Sequence, residues 1–357
     1  MDLESKVERV KMALMGEKVA AGFSGGADST ALLDMAADVA DTVVAFTVDT
    51  GAMPRGFIEG ASSIARDIGV EHVVLKMNLL DNPEFTKNAA NRCFVCKKIM
   101  YSSIISEARK RGLDVVVDGT TASDMFEDRP GVLVNRMFGI KTPLLDAGMK
   151  RSDVIEYLRS RGLEYLDETT CLATRIRTGE EITPEIINRV SYAESLIRGL
   201  YGDGRIRVRH EGGSAIIEVD EPERLLEAAI IRHLDDELRA VGFSRVLLDL
   251  TGPRKTPDDA MIYRPCRDAE SRIMFEVKLP YSIDIAGTCR ELLDKEPRCS
   301  EKMGVIMLEV GDGNLTIFRN GKIVARRVTD REEAEDLLLE VLPHIVRGMS
   351  VNETVSE

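Results

Sequence analysis

Val19-Ala20-Ala21-Gly22-Phe23-Ser24-Gly25-Gly26-Ala27-Asp28-Ser29 is the stretch whose reading decides the fold. An apolar run leads into a glycine pair and then into a polar helix start, so it reads as strand, tight turn and helix N-terminus. Ser24-Gly25-Gly26 can turn several backbone N–H groups toward one anion, and the two glycines let a phosphate approach the chain. The helix beginning near Asp28 and Ser29 aims its positive end at the same point. Ser24 and Ser29 add hydroxyl donors. Asp28 is a carboxylate beside an expected polyphosphate, which makes sense with a Mg²⁺ ion between them. No Lys follows the glycines, so this is not the Gly-Lys-Ser/Thr nucleotide loop, and the third glycine of the dinucleotide fingerprint is missing.

Outward from the loop, strand and helix alternate. Val43–Val48 is a nearly continuous apolar run, as buried parallel strands show, and ends at Asp49-Thr50-Gly51, where adenine or ribose could lie. Apolar positions at helical spacing mark residues 57–68. His72–Leu75 reads as a third strand, a helix follows Cys96, and Val115–Val117 closes on Asp118-Gly119-Thr120. The pattern predicts an α/β fold with a doubly wound parallel sheet over residues 1–180. The character then changes. A helix (Ile186 to Leu200), an alternating strand (Arg205–Arg209), a second strand (Ala215–Val219), a helix from about Pro222 to Ala240 and a strand (Val246–Leu250) predict a small α+β domain over 181–256, a substrate or oligomerisation unit. Residues 251–257 have linker composition. A further α+β unit over 257–357 carries a hairpin signal at Asn320-Gly321 and a closing helix from Glu332 to Leu342.

The chain has 357 residues, 44% hydrophobic and 31% charged, enough for two or three packed domains. Its net charge of −13 argues against a general nucleic-acid binder. No apolar run approaches membrane-spanning length and Met1–Lys6 is no signal peptide, so a cytoplasmic protein is expected. In such a protein the six cysteines read as ligands or reactive thiols rather than disulfides.

Cys93 and Cys96 stand at metal-ligand spacing, flanked by Arg92, Lys97 and Lys98, whose charge should favour thiolate. Cys171 lies far away in sequence. Three thiolates could hold three irons of a 4Fe–4S cluster and leave the fourth open for an extra sulfide; a zinc site or free thiols are the plainer alternatives. Arg205, Arg207 and Arg209 alternate along one strand face and suit a phosphate or carboxylate, or else form a solvated basic face. Asp118 and Asp124 could contact a second Mg²⁺ or a ribose, or Asp124 could cap a helix. His72 reads as structural, and His210 is open to either role. Cys266, Cys289 and Cys299 match no metal motif.

Ser-Gly-Gly-x-Asp-Ser after an apolar strand resembles the loop of the PP-loop ATP pyrophosphatases. Taken with Asn91–Lys98, Val117–Thr120, Asp128–Gly131, Pro143–Leu145, Cys171–Arg175 and Arg207–Arg209, residues 1 to about 256 resemble the LarE family of ATP-dependent sulfur transferases. The resemblance implies adenylation of a carboxylate of a pyridinium biscarboxylate mononucleotide and its conversion to a thiocarboxylate, toward the nickel-pincer nucleotide of lactate racemase. Some members sacrifice the sulfur at the position of Cys171. Members with two further cysteines at Cys93 and Cys96 resemble cluster-bearing enzymes, and this sequence has all three. Arg207 and Arg209 match the positions that hold the substrate phosphate. The family forms a homo-oligomer through its second domain, and a sulfur donor has to be supplied. Thr169-Thr170-Cys171 departs from the usual Ser-Ala-Cys, Thr174 replaces Ser, and residues 257–357 lie outside the resemblance.

The expected ligands are therefore ATP, Mg²⁺, a 4Fe–4S cluster and a small nucleotide substrate, with no membrane and no nucleic-acid partner. The rivals are a PP-loop enzyme thiolating a tRNA base, an amidating enzyme of the NAD synthetase kind, which would leave the three cysteines without a role, and a non-catalytic Fe–S or sulfur carrier. Pyrophosphate release separates the carrier from the enzymes.

Overall fold

The computed structural model describes every residue except Met1, Asp128, Glu168, Thr169, Asp203, 252–260, 266–271, 311–312 and 349–357, and describes residues 261–265, 331 and 332 by their backbone. Most of the expected linker, Asp128 of the Asp128–Gly131 motif, Thr169, Cys266 and the C-terminal tail thus lie outside the described residues.

The first unit opens with α1 (Leu3–Leu14) and alternates β1 (Lys18–Gly22), α2 (Ala27–Val39), β2 (Thr42–Asp49), α3 (Phe57–Ile68), β3 (Glu71–Lys76), α4 (Pro83–Thr86), α5 (Arg92–Lys110) and β4 (Val115–Val117). The strands are all parallel in the order β3-β2-β1-β4, with Val19 opposite both Val43 and Val115. The period of a strand sends alternate side chains to opposite faces. Val19, Ala21 and Ala45 pack under α1, α2 and α3, while Ala20, Val44 and Phe46 pack against α5. Both faces are covered, which is why β2 reads as an unbroken apolar run. This is the doubly wound sheet expected from the alternation.

The chain continues through α6 (Val132–Phe138), α7 (Pro143–Asp146) and α8 (Arg151–Arg161), then α9 (Pro184–Tyr201). A second sheet follows from β5 (Ile206–Glu211), β6 (Ser214–Val219), α10 (Ala228–Ala240) and β7 (Arg245–Leu248), with β5-β6 antiparallel and β6-β7 parallel. The helix expected from Pro222 is in two pieces. Pro222–Leu225 forms a 3-10 turn, and Glu227, extended at φ −66° and ψ 134°, restarts the chain as α10. A single extended residue leaves no mark on hydrophobic periodicity.

The third sheet holds β8 (Met261–Pro265), β9 (Ile273–Lys278), β10 (Arg298–Ser300), β11 (Val305–Val310), β12 (Gly313–Phe318) and β13 (Lys322–Val328), antiparallel in the order β10-β11-β12-β13-β9-β8. It is accompanied by α11 (Ile285–Glu291) and α12 (Arg331–Val341). β12 and β13 meet at the Asn320-Gly321 turn, Gly321 at φ +88°. Two features correct the sequence reading. β8, β10 and α11 are too short to carry a period. And Cys289 and Cys299 are joined as a disulfide, Cα atoms 6.4 Å apart, because β10 lies along the sheet edge beside α11. This sheet shares one apolar cluster with the first unit: Ala122, Met125 and Leu145 pack with Tyr281, Ile283, Leu338 and Val341. Among the described residues no helix is long and apolar enough to cross a membrane.

Candidate functional site

The loop after β1 is built for close approach. Gly25 sits at φ +71°, and a Cβ there would fall 3.0 Å from Leu166 and 3.2 Å from the Ala61 backbone, so the position takes only glycine. Ser24 N–H donates to Ser29 Oγ (3.2 Å), and Ser29 Oγ–H donates to the Gly26 carbonyl (3.0 Å). Gly26 caps α2 without a side chain, leaving the first-turn N–H groups of this 13-residue helix to face an incoming anion. Asp49 ends β2 with one carboxylate oxygen on the Gly51 N–H (3.1 Å). Gly119, two residues beyond β4, lies against the same loop, where a Cβ would meet Ser29 N at 3.0 Å and the Asp28 carbonyl carbon at 3.1 Å. Thr120 folds back on Asp118, its N–H 2.9 Å from Oδ1.

Asp28 fits a divalent cation. Its Oδ1 is buried with no hydrogen-bond partner, and Oδ2 has only Arg151 at 3.3 Å. Burial, and then the neighbouring charge of Asp124, push its carboxyl up to about 6, partly offset by Arg151 and Arg129. A carboxylate raised by desolvation and by like charge, with an orphaned oxygen, is a site to which a cation restores the balance. Asp124 takes the cap role: its carboxylate accepts the Thr121 N–H at 2.7 Å and pairs with Arg129 at 2.6 Å. Asp118 is a structural hub. Burial acts to raise its pKa, yet the Lys97 ammonium at 2.9 Å and hydrogen bonds from Thr120, Tyr101 and Lys97 hold it well below the usual carboxylate range.

The cysteine turn is held by residues that no motif announces. α5 starts at Arg92, earlier than the sequence reading placed it, so Cys93 and Cys96 both lie on its first turns. Asn88, buried at φ +52°, donates to the carbonyls of Arg177 (2.9 Å) and Glu180 (2.8 Å) and accepts from Arg92. It ties the α5 entry to the segment following Cys171. All three thiols are free, and Cys93 and Cys171 each act on the charge of Cys96, so the three share one locus. The flanking cations do not win there. Burial first, then the neighbouring thiolates, push Cys96 up to about 12 against the pull of Arg92, and burial raises Cys171 as well. The expectation of a lowered thiol pKa is corrected at Cys96. Among the described residues no three His, Cys, Asp or Glu side chains stand in geometry for a single metal ion. Three soft, unpaired thiols from two separate segments are a donor set that suits a multi-iron cluster, whose ligands sit on different irons.

One continuous segment joins these parts. Leu166 N–H donates to the Gly25 carbonyl (2.7 Å), Leu172 N–H to the Ala52 carbonyl beyond β2 (2.8 Å), and Arg177 N–H to the His210 carbonyl on β5 (3.1 Å). Cys171 lies between the first anchor and the second, directly before Leu172. Arg175, 1% exposed, holds the segment from below through Glu194 at 2.8 Å, and Glu194 also accepts the Val208 N–H at 3.0 Å. On β5, Arg207 and Arg209 are half-buried between Ile206, Val208 and His210, which face the core. Arg209 forks onto Glu218 (3.0 and 3.1 Å) and reaches the Thr174 carbonyl at 3.1 Å. Arg205 lies before the strand, its N–H on Asp220, so the stripe is two residues long inside the sheet. His72 bridges Ser62 (3.0 Å) and Thr47 (2.7 Å), as a structural residue would, and His210 is buried 3.0 Å from Glu180.

A family model for the queuosine biosynthesis protein QueC matches residues 18–125. An uncharacterized protein of Synechocystis is 32% identical over 257 residues, covering 70% of this chain and 95% of that protein. An uncharacterized protein of Methanocaldococcus jannaschii is 29% identical over 244 residues, 68% of this chain and 92% of its own length. The pyridinium-3,5-bisthiocarboxylic acid mononucleotide synthase of Lactiplantibacillus plantarum is 29% identical over 243 residues, 67% of this chain and 87% of its own. With a PP-loop sheet, its loop and a cysteine segment laid across it, the chain belongs to the LarE family of ATP-dependent sulfur transferases within the PP-loop superfamily.

Proposed function

We propose that the protein adenylates a carboxylate of pyridinium-3,5-biscarboxylate mononucleotide with ATP and replaces its oxygen by sulfur, giving a thiocarboxylate, AMP and pyrophosphate. The observation that carries this reading is the segment from Leu166 to Arg177, which places Cys171 between the phosphate loop and the arginine strand. An activated acyl group would be made and used along one backbone path.

The loop of Ser24, Gly25, Gly26 and Ser29 holds the β- and γ-phosphates through its N–H and hydroxyl groups, with Asp28 as the protein ligand of Mg²⁺. Asp49, Gly119 and Thr120 border the nucleoside side. The substrate carboxylate attacks the α-phosphorus; the bond to the bridging oxygen breaks and pyrophosphate leaves onto the loop donors, which stabilise its charge. Arg207 and Arg209 hold the substrate phosphate, which competes with Glu218 for Arg209. Cys93, Cys96 and Cys171 would hold the 4Fe–4S cluster, which when bound supplies an open iron able to present sulfide. Activation as a mixed anhydride provides the driving force, and the anchored segment provides the positioning. The reading carries with it a cytoplasmic homo-oligomer and an external sulfur donor.

Anaerobic protein is tested for pyrophosphate release with the mononucleotide, and for iron and acid-labile sulfide, in wild type and in Cys93→Ala, Cys96→Ala and Cys171→Ala. The expected result is substrate-dependent pyrophosphate and about four irons per chain, lost in each variant. No pyrophosphate overturns the enzyme. Pyrophosphate without iron, with Cys171 losing its sulfur after one turnover, replaces the cluster by a sacrificial cysteine.

A further inference from the structure

The Cys289–Cys299 disulfide stands apart from the three free thiols and from the site above. Its two ends differ. Cys299 is exposed on β10, a three-residue strand at the edge of the third sheet, paired only with β11 through Cys299 opposite Ile306. Cys289 is half-buried in α11 and packs against the shared apolar cluster. An incoming thiolate therefore reaches Cys299 more readily than Cys289.

The bond also joins two walls of a cavity. A cavity of about 540 Å³ lies between the first unit and the third sheet. Ile285 and Ala286 of α11 form one wall, Glu301 beyond β10 another, and Phe94, between Cys93 and Cys96 on α5, faces them. Arg319 crosses the gap, donating to the Glu301 carbonyl at 2.6 Å. β10 is held by the disulfide and a three-residue ladder to β11, and the Glu301 turn beyond it by Arg319 and the Gly304 N–H on the Glu301 carbonyl. A cavity of this size suits a small organic ligand.

We propose that Cys289–Cys299 is a thiol-exchange site for low-molecular-weight thiols, and that its opening releases β10 from α11 and loosens this cavity. The thiolate attacks Cys299 Sγ, the S–S bond breaks, and Cys289 leaves as thiolate and takes a proton. A second thiol then resolves the mixed disulfide, so that two small thiols are oxidised to one small disulfide and both cysteines are reduced. The proposal is independent of the sulfur-transfer reading.

The test uses the full native chain purified without reductant and exposed to millimolar reduced glutathione. Rapid alkylation and peptide mapping follow the thiols, and amide hydrogen exchange follows the fold. The expected sequence is an alkylatable Cys289 with glutathione on Cys299, then two free thiols. Amide exchange should rise at least tenfold in residues 298–300 and 285–291, with β1 and β2 unchanged. Cys289→Ser should carry glutathione on Cys299 when treated with glutathione disulfide, a check that does not depend on the wild-type bond. The proposal fails if both cysteines are alkylated before reductant is added. It also fails if the bond yields only in denaturant, if glutathione appears on Cys289, or if exchange in 285–300 is unchanged on reduction.

Discussion

Asp118 shows how single residues set this site. Its carboxylate lies at the end of β4 and accepts from Lys97, Tyr101, Thr120 and Asn135. Because its folded pKa is held below the usual 3.8, the stability it adds is complete above that value and is lost as pH falls below it toward the native pKa. Asp118→Asn should cost about 2 kcal/mol at pH 7, since it leaves the Lys97 charge without its partner. The difference from wild type should shrink below the usual carboxylate range, and urea melts across pH 2–7 measure it; a gap that widens in acid would contradict this account. Gly119 makes a second case. A Cβ there meets the backbone of Asp28 and Ser29, so Gly119→Ala must move the loop itself, and ATP affinity by calorimetry should fall about tenfold, roughly 1.4 kcal/mol. Ser24, Gly25, Gly26, Asp28, Cys93, Cys96 and Cys171 stand out in the sequence as candidates because residue type and spacing carry their chemistry. Asn88, Lys97 and Tyr101 do not, because their role arises from partners 17 to 92 positions away. Gly22 is explained only by the Tyr101 hydroxyl lying where its Cβ would be.

At the scale of elements, the described residues of the segment from Leu166 to Arg177 carry one 3-10 turn, Leu172–Arg175, yet they reach two sheets. Its sequence shows no period, so its path could not be read in advance, whereas the buried strands and α3 could. What fixes it is the Arg175–Glu194 pair beneath, with Arg175 also donating to the Thr170 and Thr174 hydroxyls at 2.8 and 2.9 Å. Removing one partner of a buried ion pair strands the other. Glu194→Ala should therefore destabilise the fold by about 3 kcal/mol. Glu194→Gln, which keeps an acceptor for the Val208 N–H, should cost less. The order of the two variants in denaturant melts is the check, and equal losses would assign the effect to packing alone. α5 begins at Arg92, before its first cysteine, where the Arg92 side chain donates to Asn88, itself tied to the Arg177 and Glu180 carbonyls.

At the scale of the whole molecule, the third sheet is fastened to the ATP-binding unit by apolar contact and by charge. Met125 and Leu145 enter its core cluster, Tyr281 donates to the Met125 carbonyl at 2.7 Å, and Arg136 reaches the Pro343 carbonyl at 2.6 Å and Glu291 at 3.2 Å. Lys150 meets Glu335 at 2.5 Å, directly before Arg151, whose side chain rests on Asp28. The turns that carry Asp124 and Arg151 are thus backed by the third sheet, although the alternating pattern of residues 1–180 suggests a unit complete in itself. A cluster shared between two sheets couples their unfolding. Calorimetry of the full chain should show one transition for the first and third sheets. Leu145→Ala, at a residue 4% exposed, should lower the stability of both together by about 3 kcal/mol. Met307→Ala, at a side chain 43% exposed on the same sheet, should change it by less than about 0.5 kcal/mol. If Leu145→Ala split the melt into two transitions while weakening ATP binding, the coupling would still run through this contact. If it moved only one of two transitions already separate in the wild type, the sheets would be independent, and the support of Arg151 and Asp124 would have to come from the first unit alone.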